Sequence, residues 1–433
     1  MKKIIFTLIS LVTLAITAHA QSTWIMDSVS LGAGVNDDVF YSMGTGTVRV
    51  ENNKNWHLGF SLSPIGDSAA IWANHGSGNA YTKVYNIHKD SAQWSTVTLG
   101  DTALATLCFN NDKGWYQGAF NNIQSMDPFN FGWGHYLGAP THAIQGDSIF
   151  IVKANGIFYK VFIAKLDAIP SIVWTFTVGD FAGNDAVYTI AKNPNYTNNL
   201  FAHFNLATGA DTNREPNINT WDVIFNRYTT DAVGSGPAPN NNVIGVFANK
   251  GVKTARAQGV QVDSAFMNYP VYTASWSPVI SGIGYDWKTF NQSTFSWTVA
   301  DSNSYFIRGK DTSVLWQLQF TAYGGSANGN VVFKKRAVWP TAVNDIQSSI
   351  NSYSIFPIPS DQQLNIVLDA KETAKANITL MDMFGKTILR SAINVNNGLN
   401  AYTLPTQSLP NGNYILSING TSIRINQSIQ IVK

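Results

Sequence analysis

The chain has 433 residues, only 12% of them charged, and a formal net charge of +2. A charge this small excludes nucleic acid and anionic membrane surfaces as electrostatic partners. The 12% aromatic content and the abundant Gly favour strands and turns over solvated helices. Cys108 is the one cysteine, so no internal disulfide can form and stability must come from hydrophobic cores.

The N-terminus reads as an export signal. Met1-Lys2-Lys3 is basic, Ile4 to Thr17 is almost wholly apolar, and Ala18-His19-Ala20 offers small residues at Ala18 and Ala20 for a signal peptidase. Residues 1–20 are therefore predicted to be removed before Gln21. No Cys follows the apolar stretch, which argues against a lipoprotein anchor. No later apolar run reaches the roughly 18 residues of a spanning helix, so no transmembrane anchor is expected.

A duplication follows. Val39-Phe40-Tyr41 through Gly46 is echoed by Leu200-Phe201-Ala202-His203 through Gly209, and Trp56-His57-Leu58-Gly59-Phe60 by Trp221-Asp222-Val223-Ile224-Phe225. Ala70-Ile71-Trp72-Ala73-Asn74 pairs with Gly245-Val246-Phe247-Ala248-Asn249, and Phe131-Gly132-Trp133 with Tyr285-Asp286-Trp287. Ser148 to Ile163 pairs with Ser304 to Phe320. The spacing of about 155–175 residues suits two whole domains rather than a solenoid, and predicts boundaries at 21–180 and 181–338. Trp221, Ile224 and Phe225 are expected in a core, Asp222 at a local turn cap, and Ile307 to Ser313 at a hairpin tip.

The second copy resembles the HmuY-like family, whose founding members are secreted or surface haemophores built of antiparallel strands. The resemblance rests on Phe204 to Gly209, Trp221 to Tyr228, Tyr305 to Gly309, Leu318 to Tyr323 and Val331 to Phe333. It implies a haem ligand His shortly after Trp287, but the run there is Lys288-Thr289-Phe290-Asn291-Gln292, with no His beyond His203. Met267 lies where the family's other ligand arises. In the first copy His135 and His142 follow Trp133, with Met126 just upstream. Haem needs axial His, Met, Cys or Tyr, so these four residues are the candidate ligands, although neither His keeps the family spacing.

Other chemistry is sparse. No His or Cys spacing suits zinc, and there is no Gly-x-Ser-x-Gly elbow, Walker loop or dinucleotide fingerprint. Asp37-Asp38 reads as a strand-start turn. Trp133, Tyr136 and Trp287 could form an aromatic platform for sugar or haem. A glycan hydrolase stays open, since spacing alone cannot exclude a carboxylate pair.

Residues 339–351 read as a polar linker. Beyond them Leu364, Ile366 and Leu368 alternate with polar neighbours, as do Ile378 with Leu380 and Ile429 with Ile431, and Asn-Gly turns fall at 397, 411 and 419. That pattern predicts a small β-sandwich over 352–433. Its motifs, Phe356-Pro357-Ile358-Pro359, Asp382-Met383-Phe384-Gly385, Leu409-Pro410-Asn411-Gly412-Asn413-Tyr414 and the terminal strand ending at Lys433, resemble the type A C-terminal sorting domain of the type IX secretion system of Bacteroidetes-type bacteria. The resemblance implies that Phe356, Pro357, Pro359, Gly385, Gly412, Tyr414 and Lys433 carry the sorting signal. It also implies export through the outer membrane, with release or attachment to surface lipopolysaccharide.

The expected fold is all-β: two tandem antiparallel HmuY-like domains followed by a small Ig-like sandwich. The expected function is a non-catalytic secreted or cell-surface binding protein handled by the type IX machinery. A haemophore and a glycan-binding adhesin or hydrolase are the alternatives.

Overall fold

The computed structural model describes residues 23–62, 69–76, 82–121, 127–196, 198–230, 241–339, 350–382, 386–420 and 423–433. The expected signal peptide with Ala18 and Ala20, together with Met126, Gly385 and residues 340–349 of the expected linker, lies outside them. The chain divides into a unit over Ser22–Val338 and a second that includes Trp339–Lys433.

The first unit is built from strands β1 (Ile25–Ser30), β2 (Asp37–Ser42), β3 (Gly46–Asn52), β4 (Leu58–Ser61), β5 (Ile71–Ala73), β6 (Lys83–Lys89), β7 (Thr106–Cys108), β8 (Gly134–Tyr136), β9 (Ile144–Gly146), β10 (Ile149–Ala154), β11 (Ile157–Asp167) and β12 (Val173–Gly179). These are followed by β13 (Asp185–Ala191), β14 (Phe201–Asn205), β15 (Ala210–Thr212), β16 (Val223–Thr230), β17 (Asn241–Ala248), β18 (Lys253–Ala257), β19 (Lys288–Asn291), β20 (Ser296–Val299), β21 (Ser304–Arg308), β22 (Leu315–Tyr323) and β23 (Asn330–Trp339). Short helices such as α1 (Val262–Met267) and α2 (Tyr269–Thr273) sit in the connections.

The predicted boundary between residues 180 and 181 does not separate these strands. One pair of sheets has the orders β15-β14-β4-β5 and β13-β12-β11-β10-β6-β7; the other has β17-β16-β2-β3 and β1-β23-β22-β21-β18. Each repeat thus gives its first three strands to the other. Strands β13–β15 of the second repeat complete a module with β4–β12 of the first, and β1–β3 complete the module of β16–β23. The four-stranded sheets correspond strand for strand, and β13-β12-β11-β10-β6 corresponds to β1-β23-β22-β21-β18, while β7, β8 and β9 extend only the first of these larger sheets. The duplication is therefore present in the topology, but with its leading strands exchanged.

Backbone pairing explains why the exchange holds. Strand β4 would be left with an open edge beside β5, and β14 fills it with Phe201↔Ser61 to Phe204↔Leu58. On the equivalent edge β2 pairs β16, Val223↔Tyr41 to Phe225↔Val39. Strands β13 and β1 close the larger sheets on β12 and β23. An open edge presents unpaired N–H and C=O groups, and pairing satisfies them.

Side chains repeat the symmetry. The Asn74 amide donates to the Asn53 and Trp56 carbonyls at 2.6 and 2.9 Å. Asn249 donates to Ile218 and Trp221, both at 2.7 Å. Leu206 N donates to His57 Nδ1 at 3.0 Å, and the Asn155 amide at the β10–β11 tip lies 2.9 Å from Nε2. In the other module Asp222 takes the place of His57. Its carboxylate accepts from Met43 N at 2.7 Å and from Lys310 N, at the β21–β22 tip, at 2.6 Å. Asp222 therefore ties an exchanged hairpin to a distant tip, whereas a local turn cap was expected. A Cβ on Gly309 would stand 2.4 Å from that carboxylate, so the close approach needs glycine.

Each module has its own core. Phe60, Trp133, Phe150, Trp174 and Phe176 belong to one, and Tyr41, Phe225, Trp287, Phe320 and Phe333 to the other. Strand β10 is a continuous apolar run because both of its faces are covered: Phe150 and Val152 enter the main core, Ile149 and Ile151 a smaller one. Cys108 is buried, as a structural thiol would be.

The second unit contains β24 (Ile350–Phe356), β25 (Gln363–Ala370), β26 (Ala374–Asp382), β27 (Thr387–Val395), β28 (Gly398–Pro405), β29 (Gly412–Gly420) and β30 (Arg424–Ile431). They form a three-stranded sheet, β24-β25-β28, and a four-stranded sheet, β27-β26-β29-β30, around a core that includes Leu364, Ile366, Leu368, Leu416 and Ile429. The strict alternation of buried and exposed positions along β25 is that of a strand with one face inward. Its first strand starts at Ile350, two positions before the predicted domain start, and Trp339 belongs to β23 rather than to a linker.

The exchange makes residues 53–215 a contiguous carrier of one whole module. A fragment of those residues is expected to unfold cooperatively in urea, whereas a 21–180 fragment, lacking β13–β15, is not; cooperative unfolding of the second fragment would refute the pairing. Asn249→Ala removes two buried hydrogen bonds and should cost about 2–4 kcal/mol in the full chain, read from the urea midpoint.

Candidate functional site

The exchanged strands bring the modules together along an aromatic seam. Phe40 of β2, Trp72 of β5, Phe201 of β14, Trp221, and Phe247 of β17 pack in one cluster. Trp115 bridges it: its indole donates to the Ala248 carbonyl at 2.9 Å, and its own carbonyl accepts from the Trp72 indole at 3.1 Å. Gly76 meets the Arg227 carbonyl so closely that a Cβ would stand 2.0 Å from the oxygen.

A cavity of about 60 Å³ lies in this seam, lined among others by Trp56, His203, Arg214, Glu215, Trp221 and Asn226. Arg214 is paired with Asp38 at 2.7 Å, and both side chains are buried. Glu215 accepts from Phe201 N at 2.7 Å, and burial pushes its carboxyl up to about 8, so it is a neutral acid at pH 7. Burial, aided by Arg214, holds His203 well below the usual imidazole range. His203 packs edge-on against Trp56 with ring centroids 4.7 Å apart. The indole nitrogens of Trp56 and Trp221, His203 Nδ1, Glu215 Oε1 and Asn226 Oδ1 are buried without hydrogen-bond partners. Such atoms are costly to leave unpaired, and water is the usual remedy. A void of this size takes a few waters and is under half the roughly 150 Å³ that holds one benzene. It is a hydratable seam, too small for haem.

Sequence reasoning missed Asp38, His203, Arg214 and Glu215 as one group. Adjacent opposite charges at 214 and 215 in a charge-poor chain were the available signal.

The proposed haem ligands do not converge. His135 lies on β8, where Nδ1 donates to the Asp147 carboxylate at 2.6 Å and Nε2 is 3.5 Å from that of Asp127. His142 is at the β8–β9 tip, with φ +49°, and its Nδ1 accepts from the Tyr136 hydroxyl. Successive strand residues point to opposite faces, so His135 and the Tyr136–His142 pair flank the ribbon on different sides. Met267 ends α1 and is exposed, far along the chain in the other module. Met126 lies outside the described residues. These residues do not fit a haem. Among the described residues no cluster of His, Cys, Asp and Glu suits a metal ion.

The expected aromatic platform is not formed either. Trp133 is fully buried against Trp174, its indole donating to the Ala69 carbonyl at 2.9 Å. Trp287 is buried on Phe320, ring centroids 4.1 Å apart. Only Tyr136 is partly open, stacked on exposed Phe129.

The described residues expected to carry sorting, which leave out Gly385, fall at strand ends and loops of the second unit. Phe356 ends β24 half-exposed, followed by Pro357, Ile358 and Pro359. The Tyr414 hydroxyl donates to the Pro410 carbonyl at 2.9 Å, and Gly412 opens β29 opposite Ile431. Lys433 is tied through its N–H to Asn411 Oδ1 at 3.0 Å, and through Nζ to the Gln407 carbonyl.

Glu215 and His203 give the seam a pH signature. Folded Glu215 binds its proton up to about pH 8, against an ordinary 4.5, so its contribution to stability is present at low pH and is lost as pH rises between those values. His203 acts oppositely, losing stability below its ordinary 6.5. Between pH 6.5 and 8.5, wild type should therefore lose about 1–2 kcal/mol relative to Glu215→Gln, measured by urea unfolding at each pH.

Residues 354–432 match the family model described as the secretion system C-terminal sorting domain. No curated protein matches the chain. Among solved structures it is similar to dimeric latent PorU from Porphyromonas gingivalis, at 11% identity and a TM-score of 0.18, over 67% of this chain and 31% of that one. The chain thus spans about a third of that protein's length. Among the described residues no helix is long and apolar enough to cross a membrane. The last seven strands are a type IX secretion C-terminal sorting domain.

Proposed function

We propose that this chain is an exported, non-catalytic binding protein that acts by surface contact outside the cell or on its outer face. The sorting domain carries the reading: it forms a unit distinct from residues 22–338, as a transport label on a cargo does. The size of the seam cavity supports contact at the surface rather than enclosure of a ligand. The non-converging His135, His142 and Met267 give no support to a haemophore.

Deletion of residues 350–433 is the test of export. The truncated protein should accumulate in the periplasm while still folding, since the core of the first unit lies wholly within residues 29–333. Undiminished amounts at the surface or in the medium, measured by fractionation and immunoblotting, would overturn the assignment.

A further inference from the structure

Strands β19 and β20 form a two-stranded ribbon paired to no other sheet. Phe290 and Trp297 are directly opposite each other in its register, with ring centroids 5.1 Å apart. Phe295 stands beside them at the tip, its ring 6.5 Å from that of Phe290. All three are open to solvent, Phe295 to 83%.

Phe295 also adopts φ +49°, the left-handed region that hairpin tips usually give to Gly or Asn. A bulky residue held there strains the backbone of the free protein, and its exposed ring gains nothing from burial to offset that strain. Strain of this kind concentrates at functional positions. The remainder of the ribbon holds it in place. Asn291 Oδ1 accepts from Ser293 N and Thr294 N at 2.9 and 3.2 Å, which sets the turn. At the base, Lys288 is buried under the rings of Trp287, Trp297 and Tyr323 and donates to the Ile244 and Tyr285 carbonyls.

We infer that this ribbon is a docking surface for an uncharged polysaccharide, whose sugar faces stack on Phe290, Phe295 and Trp297. From Thr289 to Ala300 the chain has no charged residue and Lys288 at the base is buried, so an ionic partner would find no exposed counter-charge on the ribbon. The turn that carries Phe295 adds only hydroxyl and amide side chains, Gln292, Ser293 and Thr294. Insertion into lipid would strip those groups of water without replacing their hydrogen bonds. A polyhydroxylated chain pairs with them while its C–H faces cover the rings. The exposed aromatics and neutral polar groups resemble in composition the surfaces that bind by rigid rings and adaptable hydrogen bonds. This inference rests on the surface-binding reading above and names its partner class.

The test uses the purified mature full chain. Dextran and yeast mannan serve as neutral probes, polygalacturonate as the anionic one, and phosphatidylethanolamine vesicles as the lipid one. Affinity electrophoresis and Trp fluorescence read binding. Retardation by at least one neutral polymer is expected, weakened at least tenfold in both Trp297→Ala and Phe295→Gly. Phe295→Gly relieves the backbone strain, so its melting temperature should stay level or rise while binding falls. That combination separates a binding role from a folding role. Binding to a neutral polymer that Phe295→Gly leaves intact overturns the ribbon as the site. Phe295-dependent binding to polygalacturonate or vesicles alone overturns the partner class but keeps the surface-binding reading. Silence with every probe overturns the ribbon as a polysaccharide site, while the exported-protein reading stands or falls on the deletion test above.

Discussion

Backbone hydrogen bonding between the repeats is the constraint on which the first unit depends. Neither repeat completes its sheets from its own sequence: β4 takes its neighbour β14 from the second repeat, and β16 takes its neighbour β2 from the first. Every other feature of the unit follows from that debt of unpaired edges. The exchange places β2 and β14 at the centre of the smaller sheets, which brings Phe40 and Phe201 onto a common seam with Trp72 and Trp221. It also makes the modules inseparable by a single cut, since one is contiguous and the other is interrupted by it.

The same constraint explains the polar residues in the interior. His57 and Asp222 occupy matched positions and perform the same task, receiving an N–H from an exchanged hairpin while meeting a strand tip of the module they serve. One is an imidazole and the other a carboxylate, so the task is acceptance of a hydrogen bond and not a particular charge. Arg214 and Asp38 neutralise each other across the repeats at 2.7 Å, and Glu215 is kept neutral by burial, which leaves the seam without net charge. Buried groups arranged this way hold register between modules more than they add stability.

How legible this was depended on whether a pattern was local. Strand β25 announces itself through alternation, and the sandwich was legible from that period because each strand turns one face to a single core. Its strand order was not legible, since β25 pairs β28 and β26 pairs β29, and the expected Asn419-Gly420 turn lies at the end of β29. The duplication was legible through Trp56 and Trp221 or Asn74 and Asn249, because equivalent positions face equivalent surroundings. Its pairing was not, since an exchanged and an unexchanged arrangement bury the same residues and share one periodicity. The placement of the haem candidates was hidden for a related reason. His135 and His142 are seven positions apart, but which face of a ribbon each takes is decided by the hairpin they sit on. Trp133 and Trp287 were read as a platform because aromatic residues serve cores and surfaces alike; their fate depended on the packing of Trp174 and Phe320 above them.

The sequence by itself determined the all-strand architecture, the terminal sorting domain and the existence of a repeat, because residue periodicity, turn chemistry and motif order are written along the chain. Tertiary structure alone decided which repeat each leading strand completes, that the described ligand candidates stand apart, and that Phe290, Phe295 and Trp297 are exposed while Trp133 and Trp287 are buried. The exchange depends on pairing between segments more than a hundred residues apart, and the burial of Trp133 and Trp287 on packing against Trp174 and Phe320, whose energies no local pattern encodes.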